Sequence, residues 1–215
     1  NSTQSDQVAT YNKNGVTTIL TDGTAYADAM AIAVSGTDIY VGGVLKNPNT
    51  LQHVATYWKN GIAADLADSN TYSGVNSLFI AGTDLFAAGY MQEAGKPHIE
   101  AVYWKNGVMV KLTDGSNMAT ANSIFVSGTD VYVAGQIQVL PNVNFKALYW
   151  KNGTPVELSD GSKNALAKGI AVNTNDVYVA GNEGQFAKYW KNGSSVNLDD
   201  GSKMEPVTGI VVVTP

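Results

Sequence analysis

Short apolar runs separated by turn residues fill the chain from end to end, and the copy from Ser123 to Gly161 shows their order most clearly. Ile124 and Val126 alternate with Ser123 and Phe125, a period of two that predicts a first strand. Ser127-Gly128-Thr129-Asp130 supplies a turn, and Val131 to Ala134 resumes as a second strand. After a longer connection, Ala147 to Trp150 predicts a third strand. Asn152-Gly153 then marks a hairpin, because a type I′ turn needs positive φ at both central residues. Thr154 to Leu158 is the fourth strand, and Asp160-Gly161 ends the unit.

This unit repeats. Tyr-Trp-Lys-Asn-Gly begins at Tyr57, Tyr103, Tyr149 and Tyr189, and a degenerate copy with Asn12 in place of Trp begins at Tyr11. The successive spacings are 46, 46, 46 and 40 residues. A second marker, Leu-(Thr/Ser/Ala/Asp)-Asp, keeps the register at Leu20, Leu66, Leu112, Leu158 and Leu198. A third, Ser-Gly-Thr-Asp followed by an apolar and an aromatic residue, occurs at Ser35 and Ser127, with relatives at Ala81 and Asn173. Four short antiparallel strands per repeat of this length is the pattern of a β-propeller blade, and no helical period competes with it.

The expectation is a single all-β domain spanning 1–215, a five-bladed β-propeller of four-stranded blades. Full blades are placed near 29–68, 75–114, 121–160 and 167–200. The fifth combines 207–213, as innermost strand, with third and fourth strands from 7–20, so that both termini close the ring and no sheet edge is left open. No stretch matches its second strand, Asn1 to Asp6 being too short and polar, so the closing blade is expected to be incomplete. Ala9, Ala55, Ala101, Ala147 and Ala187 each precede the repeated Tyr by two, interlocking small and large residues. The tyrosines and Trp58, Trp104, Trp150 and Trp190 are read first as packing between blades, with a repeated sugar-stacking platform as the alternative.

Composition narrows the function. The chain has no cysteine, which removes disulfide and thiolate chemistry. A net charge of −5 without any basic run argues against a nucleic-acid partner. No apolar stretch is long enough for a membrane span. The repeated aspartates are turn residues before they are calcium ligands, and two histidines without cysteine give no metal set of usual spacing. No cofactor and no metal are implied. The acidic residues outside the turns are scattered, so a glycoside hydrolase with paired carboxylates ranks third.

The Tyr-Trp-Lys-Asn-Gly and Leu-Thr-Asp-Gly repeats resemble those of bacterial secreted or surface-anchored β-propeller proteins. The resemblance implies an extracellular or cell-surface location. In such proteins a lipid-anchored cysteine often ends the signal sequence, and Asn1-Ser2-Thr3-Gln4-Ser5 looks like a tether following one.

Function is expected where the repeats differ. The two hairpins of each blade use near-identical turns and lie on one face. The connections from second to third strand, with those between blades, lie on the other. That variable face carries His53, Tyr90, Gln92, Glu93 and His98 as candidate binding residues, with Lys46, Asn49, Lys96, Asn142, Asn144 and Glu183 around them. Nearer the axis, Met30, Asn76, Asn122, Lys168 and Thr208 occupy one repeat position with four kinds of side chain, and Asp28 and Glu205 lie close in sequence. Asn76, Asn122 and Lys168 are the candidates there for an axial ligand site. The reading is a non-enzymatic binding scaffold for a surface protein or glycan, with a lectin-like propeller as the alternative.

Overall fold

The computed structural model describes residues 7–141, 143–203 and 205–213, and the notions attached to Asn1–Asp6 and Asn142 lie outside them. Eighteen strands and no helix form among these residues. After a hairpin of β1 (Thr10–Lys13) and β2 (Val16–Ile19), sheet 1 contains β3 (Ala27–Ser35), β4 (Asp38–Lys46), β5 (His53–Lys59) and β6 (Ile62–Asp65). Sheet 2 contains β7 (Tyr72–Ala81), β8 (Asp84–Gln92), β9 (Glu100–Lys105) and β10 (Val108–Lys111). Sheet 3 is β11 (Ala119–Ser127), β12 (Asp130–Gln138), β13 (Phe145–Lys151) and β14 (Thr154–Glu157). Sheet 4 is β15 (Ala165–Asn173), β16 (Asp176–Glu183), β17 (Phe186–Lys191) and β18 (Ser194–Asn197). Each is a four-stranded antiparallel meander, consistent with the blades of a β-propeller, whereas among the described residues β1 and β2 pair only with each other.

The first strands start two or three residues earlier than the hydrophobic alternation predicts. A β-bulge explains this. The register shifts between Ala29 and Ala31, Val75 and Ser77, Ala121 and Ser123, and Ala167 and Gly169. One extra residue reverses which side chains face which way, so the alternation read from the second half of the strand fails before the bulge.

Successive sheets pack through a repeated contact. The apolar residues after the bulge of one first strand lie on the second and third strands of the preceding sheet. Ile170 and Val172 meet Tyr132, Ala134, Ala147 and Tyr149, and Ile124 and Val126 meet Phe86, Ala88 and Ala101. A Cβ on Gly42 of β4 would lie 2.7 Å from Val75 and 3.0 Å from Leu78, so glycine allows this approach between sheets 1 and 2. Trp58, Trp104, Trp150 and Trp190 are all fully buried and fill the seams, as the packing reading expects. The hairpin β1–β2 joins sheet 1 through Ala9 and Tyr11, which cluster with Ala27, Ile39, Val41 and Trp58.

The conserved wording of the repeats has a local cause within each sheet. Lys59 pairs with Asp38, Lys105 with Asp84, Lys151 with Asp130 and Lys191 with Asp176, at 2.7 to 2.9 Å. The following asparagine donates to the same carboxylate and accepts the N–H of the next residue, as Asn60 does with Asp38 and Ile39. The lysine also lies over the aromatic ring two residues after the aspartate, Tyr40, Phe86, Tyr132 or Tyr178. Each sheet thus fastens its two hairpins together on one face. The segment Val207–Val213 forms no ladder, but it lies against β15: a Cβ on Gly169 would be 2.7 Å from the Ile210 nitrogen.

Candidate functional site

The opposite face is built from the connections that do not repeat. Where sheets 1 and 2 meet, four rings stand in a row. Tyr26 stacks on His53 with centroids 5.1 Å apart and planes within 8°. His53 stacks on Tyr72 at 5.9 Å, and Tyr72 leans on Tyr90 at 5.6 Å. Tyr26 and Tyr72 immediately precede or open the first strands, while His53 opens β5 and Tyr90 is near the end of β8. Four elements from two sheets therefore place one continuous aromatic surface, half-buried at Tyr26, His53 and Tyr90 and exposed at Tyr72.

Tyr90 is the anchored end. Its ring lies over Gly74, where a Cβ would come within 2.7 Å of the hydroxyl oxygen. Burial, then the neighbouring Tyr72 and Tyr26, push the Tyr90 hydroxyl well above the usual tyrosine range. It stays protonated at physiological pH, so the hydroxyl keeps a proton it can donate. Tyr72 is the most exposed ring and also forms one wall of an adjoining polar groove of 540 Å³. Gln52, Asp68 to Thr71, Gln92, Glu93 and Lys96 line the rest. The Gln92 side chain donates to the Lys96 carbonyl at 3.1 Å, holding the loop that forms the groove's far side.

One of the groove's charges, Glu93, is paired. Lys111 bonds Glu93 at 2.6 Å, and this contact holds the Glu93 carboxyl below the ordinary range and raises the lysine. Behind them Glu100 is fully buried, with Lys111 Nζ 3.3 Å from its Oε2 and no hydrogen bond of good geometry to either oxygen. One lysine thus bridges a surface and a buried carboxylate. Among the described residues no three acidic, His or Cys side chains gather as a metal set.

The sequence-predicted residues divide in two. His53, Tyr90, Gln92 and Glu93 come together in the row and the groove. His98 lies half-buried in the loop before β9, outside both. Asn76, Asn122 and Lys168, with Met30, are the extra residues of the four bulges. The Asn76 amide donates to the Ala121 carbonyl, and the Asn122 amide to the Ala167 carbonyl and to Gln136. Both bridge neighbouring first strands. Lys168 makes no such bridge among the described residues, and burial lowers its pKa. Tyr26, Tyr72 and Glu100 were missed by sequence reasoning. Tyr26 and Tyr72 share a repeat position, directly before Ala27 and Ser73, and Met118 and Asn164 occupy it in sheets 3 and 4. That shared aromatic was the available signal.

No protein-family model matches the chain, and no curated protein matches its sequence. Among solved structures, the chain is similar to the Bombyx mori GH32 beta-fructofuranosidase BmSUC1, with a TM-score of 0.43 and 10% identity over 72% of this chain. The match spans 42% of that enzyme's chain.

Proposed function

We propose that the protein is a non-enzymatic binding module whose partner, a surface protein, lies across the aromatic row and its groove. One observation carries this reading: the row Tyr26–His53–Tyr72–Tyr90 is made once, between sheets 1 and 2, by connections that do not repeat. Sheets 3 and 4 place Met118 and Asn164 where Tyr26 and Tyr72 stand. A lectin with equivalent sites would repeat its binding residues, whereas a single asymmetric surface suits one macromolecule. Tyrosines are also among the side chains that binding hot spots favour.

The same proposal includes a closed five-bladed ring, in which Val207–Val213 is the innermost strand of the blade holding β1 and β2. Its support is the seat of that segment against Gly169, and Asn182, whose amide donates to the Glu205 carbonyl at 2.7 Å and accepts the Val207 N–H. Membership of the secreted or surface-anchored propeller group, and an extracellular location, belong to this reading through the repeat motifs.

The test uses the purified protein on a glycan array and on a panel of extracellular proteins, alongside the double variant Tyr72→Ala/Tyr90→Ala. A protein partner lost in that variant, at unchanged melting temperature, supports the proposal. Glycan binding at several equivalent sites per chain, indifferent to the substitutions, would overturn it in favour of the lectin.

A further inference from the structure

The polar groove beside Tyr72 continues into a second cleft, of 340 Å³, and the two share Asp68 and Thr71. It lies between sheets 1 and 2. Buried Leu66 and Met91 line it together with Met109 of β10, which is 38% exposed, and the exposed residues Asp65 and Asp68 complete the lining. Equivalent clefts lie between the β1–β2 hairpin and sheet 1 and between sheets 2 and 3, where Leu45 and Ile137 replace Met91, and Ala63 and Pro155 replace Met109. The charges of those clefts are engaged within the chain. Asp22 and Asp114, at the position of Asp68, accept both the N–H and the hydroxyl of Thr24 and Ser116. Lys111, at the position of Asp65, contacts Glu93 and Glu100, and Glu157 is paired with Lys146.

In sheet 1 the same closure fails, and the backbone explains why. The turns of Asp22 and Asp114 continue through Gly23 and Gly115 at φ 79° and 75°, whereas Ser69 follows Asp68 without positive φ. That turn closes instead through the Thr71 N–H, which donates to the Asp68 carbonyl at 2.9 Å. The Asp68 carboxylate is left without a hydrogen bond among the described residues, and Asp65 accepts only from the Thr56 hydroxyl, at 2.9 Å. Neither carboxylate pairs with a lysine among those residues, since Val54 stands in sheet 1 where Lys146 reaches Glu157 in sheet 3. Lys96 belongs to the far side of the adjoining groove.

We propose that this cleft receives an arginine side chain of the protein partner that lies across the aromatic row. The assignment to that partner rests on the reading of row and groove as one interface, with which the cleft is continuous. Three properties select the residue. Two carboxylates without a cation, on a chain of net charge −5, call for a positive group. Leu66, Met91 and Met109 offer an apolar surface to a long aliphatic stem, and unbranched methionines adapt to its shape. A guanidinium carries five donors in a planar fork, so one head serves both Asp65 and Asp68, whereas an ammonium is a compact and more strongly hydrated charge. Arginine buried on contact in this way is also a usual anchor of protein interfaces.

The probe is N-acetyl-arginine amide, titrated at constant ionic strength into protein labelled with carbon-13 on its methionine methyl groups and followed by NMR. The Met91 and Met109 signals should move together and saturate with a Kd on the order of 1 mM. N-acetyl-citrulline amide, of the same length but uncharged, should leave them in place. Asp65→Asn/Asp68→Asn should abolish the shifts at an unchanged melting temperature, because both residues are exposed and asparagine still accepts from Thr56. No saturable shift, equal shifts from the citrulline compound, or shifts that persist in the double variant would each overturn the proposal. So would agmatine binding more tightly than the amide, which would assign the cleft to a free small amine. As a second measurement, a protein partner that depends on Tyr72 and Tyr90 should bind about tenfold more weakly to Asp65→Asn/Asp68→Asn, the loss of one charge-assisted contact. A partner indifferent to those aspartates would overturn this inference and leave the reading of the row intact. A cleft that takes up the probe where the row has no partner would support the arginine site and overturn only that reading.

Discussion

Asn152 Nδ2 donates to Asp130 Oδ1 at 2.8 Å, across the space between the tips of two hairpins in sheet 3. The bond joins residues 22 apart in sequence, and its counterparts recur at Asn60, Asn106 and Asn192. Asn152 has positive φ, which few side chains tolerate, so the turn requirement and the carboxylate contact select the same residue. Two elements of the repeat that look like separate turn signals are therefore one interaction.

That interaction predicts an acid-sensitive stability. Lys151, then Asn152, hold the Asp130 carboxyl below its ordinary value, and Asp38, Asp84 and Asp176 are lowered by their own lysine and asparagine. A carboxyl lowered in the folded state adds stability above its unfolded pKa of about 3.9 and loses it as pH falls through the folded value. The melting temperature should accordingly drop below about pH 4. In Asp130→Asn it should be lower at neutral pH and should fall less steeply on acidification. The groups are exposed, so the effect should shrink in high salt. Thermal melts between neutral pH and pH 2, with and without added salt, decide it, and parallel curves for the two proteins would remove the assignment.

Trp104 gives the packing prediction. Its ring is buried in the cluster of Leu78, Leu85, Ala87 and Val102 at the seam between sheets 1 and 2. Trp104→Ala should cost about 3 to 5 kcal/mol in denaturant unfolding, the range for deleting a large buried aromatic. A variant as stable as the parent would mean that the ring is not part of the core.

How much of this was legible in the sequence depends on whether a residue acts within its own repeat. Lys151, Asn152 and Asp130 recur at fixed spacing, so their role in the hairpins showed in the sequence as repetition. The Trp ring burial was readable for the same reason. The row of Tyr26, His53, Tyr72 and Tyr90 was only half readable. His53 and Tyr90 stand out as variable loop residues, but Tyr26 and Tyr72 sit at strand starts, and only the packing of sheet 1 on sheet 2 brings the four into line. Asn76 and Asn122 were misleading in a physical sense. Dissimilar side chains at one repeat position look like ligand groups, yet a bulge residue has unpaired neighbours, and those two amides bond backbone carbonyls of the next sheet.

Ser73 supplies a case that neither repetition nor variability announced. In three sheets and in the β1–β2 hairpin, the N–H of the third-strand alanine is bonded by the residue after the repeated leucine: Thr21 for Ala9, Thr113 for Ala101, Ser159 for Ala147 and Asp199 for Ala187. Sheet 1 has Ala67 at that position, which has no acceptor. Ser73 of the neighbouring sheet takes over, accepting from Ala55 at 2.9 Å. Ser73→Ala should cost about 1 to 3 kcal/mol, the penalty for an unpartnered buried donor. Ala67→Ser in the same chain should restore most of it. Chemical denaturation of the single and double variants checks both statements, and a double variant no better than Ser73→Ala would show that the hydroxyl acts otherwise.

The C-terminal segment provides the last test, because its attachment is narrow. Asn182 is buried on β16 and makes both bonds to that segment, donating to the Glu205 carbonyl and accepting from Val207, while Gly169 leaves room for the Gly209 and Ile210 backbone. If this segment closes the ring, deleting Gly209 to Pro215 uncovers the face of β15 that it shields, and the melting temperature should fall well below that of a chain lacking only Asn1 to Ser5. Asn182→Ala should reproduce part of the loss, since it leaves a half-buried N–H and a carbonyl without their partner. Gly169→Ala should do the same by steric means, its Cβ meeting the Gly209 Cα at 2.8 Å. The two point variants act on different atoms of one contact, so combining either with the deletion should add little to the deletion alone. Additive losses, or equal melting temperatures for the two truncations, would show that ring closure does not depend on Val207–Val213.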